Sequence, residues 1–483
     1  MIKTLLAADR SERERFKIPR SVQQSIPVQR IYRDGIWQTG GKFSRTWRFA
    51  DINYALASHD DQHNMFTSYC GVLNSLPTDA TTKITINNRR LNGADFRRSI
   101  LMRERGDGLD MYRQEYNRVL TDKAAESNDL IQDKYITVSV ARKNFEEART
   151  FFHRVDADLG KNFGRLESGA RALDNQERLR IFHDFFRPGE EEHFRFDLSD
   201  AMKKGHDFRD YICPDGLCFK ADHFELGGKV GRVLFLRDYA SYIKDSMINE
   251  LTSLNRSLML SIDIIPVPTD EAVREMQNRL LGVETNDILP IPTDEAIREV
   301  QSRILGIEAD IARWQQRQNS RNNFTASIPY ELEQLRAETK EFLDDLSTRD
   351  QRMIFANVTI VHMADTLEQL DADTETLQAI GLEQACQFSI LRYQQEDGLN
   401  TALPYGLRRI KTTRTLTTES TAVLMPFRVQ EIQDAGGIYY GVNAVSKNLL
   451  ICNRKKLLNP HGFVLGVSGS GKSFSMKEAI TFI

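Results

Sequence analysis

A glycine-rich motif near the last residue constrains the fold of this 483-residue chain more than any other feature. Residues 466–473 read GVSGSGKS and fit the pattern GxxxxGK[ST]. The preceding GFVLG (462–466) has the apolar character of a strand, and the following KSFSMKEAITFI (472–483) has a helical pattern. Strand, glycine loop and helix in this order predict the first unit of a P-loop α/β domain.

The residue types of this loop suit nucleotide phosphates and Mg²⁺. Glycines allow positive φ angles and close approach, so that backbone amides can point at phosphate oxygens. A lysine at position 472 is placed to bridge the β- and γ-phosphates, and the hydroxyl of Ser473 to contact Mg²⁺. The predicted contacts are Gly466, Gly469, Ser470, Gly471, Lys472 and Ser473.

Hydrolysis would need groups that the motif does not contain. A P-loop ATPase also uses an acidic residue at a strand end and usually an arginine from a neighbour, and both normally lie later in the sequence. Ten residues follow Ser473. We therefore expect a chain that ends within its catalytic domain, whose general base and arginine finger are unassigned and which has no appreciable ATPase activity alone. A P-loop kinase or transferase is disfavoured, because such folds carry the loop near their start.

The first half of the chain reads as an α+β domain. Strands are predicted at KITINN (83–88), KYITVSV (134–140), VLFL (233–236) and LMLSIDII (258–265). A helix is predicted over 144–163, where apolar residues recur at steps of three and four. We assign residues 1–265 to this N-terminal domain.

A tandem duplication follows. Residues 263–286 and 287–310 are identical at fifteen of 24 positions, and each copy contains PTDEA before an apolar helical stripe. Together with the stripe of YELEQLRAETKEFLDDL, they predict a helical hairpin or arm over 266–352. The stripe fits either a partner-binding coiled surface or packing into the core. Residues 353–425 alternate strands and helices and are assigned as an α/β completion of the N-terminal region, and 426–483 as the incomplete start of the P-loop domain.

Composition favours an ordinary globular protein that remains in the cytoplasm. The opening sequence fails as a signal peptide, and no apolar run reaches membrane-spanning length. The five cysteines lack zinc or redox spacing and read as reduced structural thiols. The histidines show no paired metal spacing, so that His183 and His193 are expected on a polar surface rather than in a metal site.

Residues 1–50 carry eleven Lys/Arg against four Asp/Glu, which makes this part of the chain basic. The arginines are interleaved with the aromatic residues Trp37, Phe43, Trp47 and Phe49. An anionic lipid surface or a nucleic-acid backbone is one partner that such a pattern would suit. The other interpretation, which we prefer, is a solvated basic edge above a β-rich core.

Many collinear stretches resemble the VirB-type conjugal-transfer ATPases of type IV secretion systems (the CagE/TrbE/VirB family). The stretches that carry this resemblance are TTKITINNRRLNGADF, RLRIFHDFFR, KGHDFRDYICPD, GRVLFLRDYASYIKDSM, SIDIIPVPTDEAVREMQNRLLGVE, FLDDLSTRDQRMIFA, RTLTTESTAVLMPFRVQEI and FVLGVSGSGKSF. They span essentially the whole chain. The sequence departs from the family pattern in its second PTDEA copy and in lacking the later motor motifs.

The resemblance implies a cytoplasmic motor that binds ATP and Mg²⁺ and energises channel or pilus assembly and conjugative DNA transfer. It implies an N-terminal α+β domain followed by a RecA-like ATPase domain. Its implied partners are the secretion channel proteins and the coupling protein, with DNA and its bound relaxase as substrate. A hexamer of the full-length protein and peripheral association with the inner face of the cell membrane are also implied. The alternative is a non-enzymatic docking module of the channel with an inert partial P-loop.

Overall fold

The computed structural model describes residues 21–90, 100–125, 130–239, 246–254, 256–267, 311–316, 352–434, 436–457, 459–474 and 476–477. The predicted arm over 266–352 lies almost entirely outside these described residues, as does most of the tandem repeat. Within that arm, only residues 266–267, 311–316 and 352 are described, and 311–316 are helical.

Strands, long and short, occur throughout the described residues. In chain order they are β1 (Arg30–Ile31), β2 (Trp37–Thr39), β3 (Lys42–Phe49), β4 (Ala80–Arg90), β5 (Leu130–Ala141), β6 (Ala170–Ala172), β7 (Leu217–Phe219), β8 (Phe224–Leu226), β9 (Lys229–Asp238), β10 (Leu258–Pro266), β11 (Met353–Ala364), β12 (Gln387–Ile390), β13 (Arg414–Thr417), β14 (Ile438–Val442) and β15 (Leu449–Cys452). The four strands predicted in the first half of the sequence are confirmed as β4, β5, β9 and β10.

The α-helices cover the faces of these strands. They are α1 (His59–Ser75), α2 (Asp110–Ala125), α3 (Phe145–Arg165), α4 (Asn175–Phe186), α5 (Leu198–Lys204), α6 (Ser246–Thr252), α7 (Leu367–Glu383), α8 (Gln395–Ala402) and α9 (Thr418–Ala422). The helix predicted over 144–163 is confirmed as α3. It starts where the side chain of Asn144 accepts a hydrogen bond from the Glu147 amide, a typical N-cap.

One large antiparallel sheet unites strands from both sides of the repeat region. Its order is β1-β2-β3-β5-β4-β10-β11-β9-β8-β7, with β6, β12 and β13 pairing with β3, β9 and β11. Strands β10 and β11 are neighbours, and Pro266 lies opposite Ile354. The chain therefore leaves the sheet after residue 267 and returns to the same place at residue 352.

Apolar side chains pack on both faces of the sheet. On one face, α1, α3, α6, α7 and α9 cover a core that includes Trp47, Phe152 and Phe427. On the other face, α4, α5, α8 and the segment 403–410 cover a second core around Trp37 and Phe182. The sheet is thus buried between two layers, and charged residues in its central strands must find partners inside the protein.

The C-terminal part of the described chain forms a separate two-stranded hairpin, β14 and β15. Leu449 and Ile451 of this hairpin pack with Ile100 and with Leu120 and Ala124 of α2. Residues Arg414–Thr417 form the strand β13, which is followed directly by α9. Thr417 ends the strand and caps the helix by accepting a hydrogen bond from the Ser420 amide.

Candidate functional site

The glycine-rich loop lies beyond the hairpin as an exposed turn. Residues 461–467 form neither helix nor strand, 468–471 form a turn and bend, and 472–474 are helical. The prediction of a strand at GFVLG (462–466) is therefore wrong for this structure. The physical reason is that a strand needs a partner for its backbone hydrogen bonds, and none of the described strands pairs with these residues.

Two of the predicted glycines adopt the backbone conformation that favours glycine. Gly469 and Gly471 both have φ of 83°. Gly466 does not have positive φ, and its contribution is close approach: a Cβ atom there would lie 2.6 Å from Ser470 Oγ and 3.4 Å from the Lys472 side chain. The expectation of positive φ is thus met at two of the three glycines, and the third permits the loop to fold closely over its own side chains.

The lysine of the motif folds back over the loop. Lys472 Nζ donates hydrogen bonds to the carbonyl oxygens of Gly466 and Val467, both at 2.6 Å. These contacts hold the ammonium group at the mouth of the turn that residues 466–471 form. The backbone N–H of Ser470 donates to Val467 O at 3.3 Å, and that of Phe474 to Gly471 O at 3.0 Å. The motif residues therefore form one compact turn, with the cation held by two carbonyl groups.

This turn offers the donors that a phosphate group requires. Within the described chain, the backbone N–H groups of Gly469 and Gly471 have no protein acceptor. Ser473 is exposed at the start of the helical residues, where its hydroxyl can reach a metal ion beside the phosphates. Amide donors, an ammonium group and a hydroxyl on successive residues fit a nucleotide with Mg²⁺.

Apolar side chains around the loop lie in solvent. Phe463 is 94% exposed, Leu465 90%, and Phe474 79%. In a folded P-loop domain the corresponding strand is covered by neighbouring strands and helices. The surroundings of the loop therefore differ from those of its motif's usual domain, although the turn itself is formed.

The segment leading to the loop is fixed to the large sheet. The carboxylate of Asp51 accepts a hydrogen bond from the Arg428 amide at 2.8 Å, and Asn53 accepts one from the Gln430 amide at 2.9 Å. The Arg428 carbonyl in turn accepts from the Ala55 amide at 2.9 Å. Residues 428–430 thus run along residues 51–55. Sequence reasoning missed this junction, because single Asp and Asn residues in a loop carry no distinctive pattern.

Charged groups are buried in the central strands of the sheet, away from the loop. Lys83 Nζ lies 2.7 Å from Asp263 Oδ1, and the two side chains are 1% and 0% exposed. Burial lowers the pKa of Lys83, which the neighbouring carboxylate of Asp263 opposes. Arg232 and His362, which are opposite one another on β9 and β11, share the hydroxyl of Thr374. These clusters are enclosed by packed elements and serve the fold.

The Thr374 hydroxyl fixes the tautomer of His362. It donates its proton to the Leu370 carbonyl at 2.7 Å and accepts from Arg232 Nη1 at 2.9 Å. The contact of 3.1 Å from His362 Nε2 must therefore be an N–H donated to that oxygen. Burial, with the adjacent Arg232 charge, lowers the pKa of His362 to about 3. The imidazole is neutral in the fold and resists protonation.

This depressed pKa predicts loss of stability in acid. The unfolded chain protonates His362 near its ordinary pKa of about 6.5, whereas the folded chain does not until about pH 3. The free energy of unfolding should fall as pH decreases through this window, by about 3 kcal/mol between pH 7 and pH 4 from this residue. Urea titrations of wild-type protein and His362→Gln over that range measure the difference.

The matched control is His153→Gln on the exposed face of α3. We expect the free energy of unfolding of His153→Gln to change with pH as it does in the wild type. In His362→Gln it should fall less between pH 7 and pH 4. An unchanged acid limb in His362→Gln would contradict the assignment.

The histidines and cysteines considered in the sequence lie in structural surroundings. His183 is only 5% exposed and packs against Phe194 with ring centroids 4.9 Å apart, so its expected place on a polar surface is wrong; His193 is exposed. All five cysteines are free, and burial raises the pKa of the Cys70 thiol to about 11. Among the described residues, no group of three or more His, Cys, Asp or Glu side chains could hold a metal ion.

The four aromatic residues that the sequence interleaves with arginines are core residues. Trp37, Phe43, Trp47 and Phe49 are each at most 4% exposed. They therefore cannot stack on bases or enter a lipid surface from this fold. The interpretation as a solvated basic edge stays a prediction, since residues 1–20 lie outside the described residues. In the described part of the chain, no helix has the length and apolar character to cross a membrane.

Comparison with known protein families and with curated proteins found no match to this chain.

Proposed function

We propose that residues 466–473 bind the phosphates of ATP with Mg²⁺, and that the chain is the N-terminal part of a cytoplasmic motor for type IV secretion and conjugative DNA transfer. The observation that supports nucleotide binding is the geometry of the loop. Two glycines at φ of 83° form a turn, and the carbonyls of Gly466 and Val467 hold the ammonium group of Lys472 against it. The transfer role rests on the sequence resemblance.

Each loop residue has a distinct part in this proposal. The ammonium group of Lys472 would move from the carbonyls of Gly466 and Val467 to phosphate oxygens, exchanging two contacts with neutral acceptors for contacts with a charged one. The amides of Gly469 and Gly471 donate to the same anion. The Ser473 hydroxyl would hold Mg²⁺, which supplies charge neutralisation to the phosphates.

Lys472→Ala should weaken nucleotide binding by about tenfold to a hundredfold, or 1.4 to 2.8 kcal/mol, because a charge-assisted contact to phosphate is lost. Titration of the chain with a fluorescent ATP analogue and Mg²⁺ measures this change. Lys477→Ala is the matched control, since it removes an exposed lysine just outside the motif. Equal affinities for wild type and Lys472→Ala would contradict the proposed site.

A second candidate is a docking module of the secretion channel with an inert loop. The observation that favours it is the exposure of Phe463, Leu465 and Phe474 beside a lysine already held by carbonyls. In this case the wild-type chain takes up no ATP analogue, and residues 1–425 alone account for its binding to channel proteins. Nucleotide uptake that depends on Lys472 rejects this candidate.

The transfer role has a separate test in cells. In a donor whose conjugative element encodes this protein, Lys472→Ala should lower the frequency of DNA transfer by a hundredfold or more. Lys477→Ala should leave the transfer frequency unchanged. Normal transfer by the Lys472→Ala donor would contradict a motor role while leaving the binding measurement intact.

A further inference from the structure

A polar cavity of about 410 Å³ lies where the large sheet meets the segment that leads to the glycine loop. Strands β3, β5 and β6 contribute one side, and residues 428–431 and 446–448 contribute the other. The charged residues that line it are Arg48, Asp51, Lys134, Arg171, Arg428 and Glu431. Four cations thus line the same open cavity as two carboxylates.

Two of these arginines are held side by side. Arg48 on β3 and Arg171 on β6 are direct cross-strand partners, an arrangement in which like charges repel. Among the described residues, each forms an ion pair with one carboxylate: Arg48 Nη2 lies 2.6 Å from Asp133, and Arg171 Nη1 lies 2.8 Å from Glu177. Their side chains are 51% and 58% exposed, so that guanidinium donors remain open to the cavity.

Arg428 closes the same cavity from the opposite side. Among the described residues, no carboxylate lies within 4.0 Å of its guanidinium group, although Asp51 and Glu431 are near enough to act on its charge. Burial lowers the pKa of Arg428. A half-buried cation without a direct ion pair is unfavourable, and a bound anion would offset this.

The two acids of the cavity each have a partner, although Glu431 Oε2 has no hydrogen-bond partner among the described residues. Asp51 forms an ion pair with the buried Lys134 and accepts the Arg428 amide. Glu431 accepts a hydrogen bond from Asn448 Nδ2 at 3.3 Å, and burial raises its pKa. The open donors of the cavity therefore belong mainly to the three arginines.

We propose that this cavity binds a phosphate group through Arg48, Arg171 and Arg428. Guanidinium groups match phosphate oxygens with paired N–H donors, and three of them from separate segments can surround one dianion. Because Arg428 belongs to the segment that leads to residues 466–473, an occupied cavity holds that segment against the sheet. This site is separate from the glycine loop and does not depend on nucleotide binding there.

The experiment is calorimetric titration of the whole chain with inorganic phosphate and, separately, with adenosine monophosphate. Arg428→Gln and Arg171→Gln should each weaken phosphate binding about tenfold, since each removes a charge-assisted contact. The phosphate binding that depends on Arg171 and Arg428 should persist in Lys472→Ala, which separates this site from the loop. Tighter binding of the nucleoside monophosphate identifies a phosphate ester as the ligand, and equal binding identifies free phosphate.

Arg237→Gln is the matched control, because Arg237 is 51% exposed and does not line the cavity. The surface position of Arg171 makes its variant informative even if Arg428→Gln folds poorly. No phosphate binding by the wild type, equal binding by wild type and Arg171→Gln, or loss of binding in Lys472→Ala would overturn the proposal.

Discussion

Asp263→Asn should lower the free energy of unfolding by about 3 to 5 kcal/mol, because it leaves a buried lysine without its counter-charge. Asp263 on β10 lies directly opposite Lys83 on β4 in the middle of the sheet. Their side chains are 0% and 1% exposed, with 2.7 Å between Asp263 Oδ1 and Lys83 Nζ. The one other group that contacts the lysine ammonium among the described residues is the neutral Thr401 carbonyl.

The size of this effect follows from desolvation. A buried ammonium group loses its hydration, and burial already lowers the pKa of Lys83 against the attraction of Asp263. An amide at position 263 removes that attraction but leaves the lysine enclosed. The folded variant must then hold an unpaired charge or release the proton, and either change is unfavourable relative to the unfolded chain.

Urea denaturation followed by circular dichroism measures the loss. Asp200→Asn is the matched control, since the Asp200–Lys204 pair is 58% and 60% exposed and solvent screening leaves it little effect on stability. Replacing both buried partners, as in Lys83→Met with Asp263→Leu, should recover most of the stability. An Asp263→Asn variant as stable as Asp200→Asn would show that the pair contributes little.

The long strands and the amphipathic helix were predictable because their signals are local. KITINN and KYITVSV alternate apolar and polar residues, and 144–163 repeats apolar residues with a helical period. Strand partners were not predictable in this way. The neighbours β4 and β10 are separated by more than 150 residues, and nothing in either segment specifies the other.

Buried charges were missed for a related reason. In a sheet with one face in solvent, the alternation of KITINN would place Lys83 on the solvent-facing side. Here helices and the segment 403–410 cover the second face, so this position is enclosed. In the candidate site, the glycines of the motif predicted the positive φ seen at Gly469 and Gly471. GFVLG looked like a strand because apolar content does not reveal whether a pairing partner exists.

Arg178→Met should lower the free energy of unfolding by about 2 to 4 kcal/mol, because several buried carbonyl groups lose their donor. Arg178 on α4 is completely buried. Its Nη1 donates to the carbonyls of Gly35 and Ser44 at 2.9 and 3.0 Å, and its Nη2 donates to Ser44 Oγ at 3.2 Å. The guanidinium carbon also lies 4.1 Å from the centre of the Trp37 ring.

This arginine acts as a bridge between separate parts of the fold. It joins α4 to the turn before β2, to β3 and, through Pro404 O at 3.5 Å, to the segment 403–410. Within the described chain no carboxylate lies within 4.0 Å of its guanidinium group, and burial lowers its pKa well below the ordinary value. Neutral carbonyl dipoles therefore solvate the cation, and methionine fills the volume without satisfying them.

Arg180→Met on the same helix is the matched control, since Arg180 is 36% exposed and its ion pair with Asp184 at 3.6 Å should contribute less than about 1 kcal/mol. The stability of Arg178→Lys should lie between those of the wild type and Arg178→Met, because one ammonium group cannot contact all the carbonyls that the planar guanidinium group of arginine reaches. Thermal and urea unfolding of the three variants give the ranking. An Arg178→Met variant at least as stable as the wild type would contradict this prediction. The free-energy cost of desolvating the cation would then exceed the stabilisation from the carbonyl contacts and the Trp37 ring, and Arg178 would be retained for a reason other than stability.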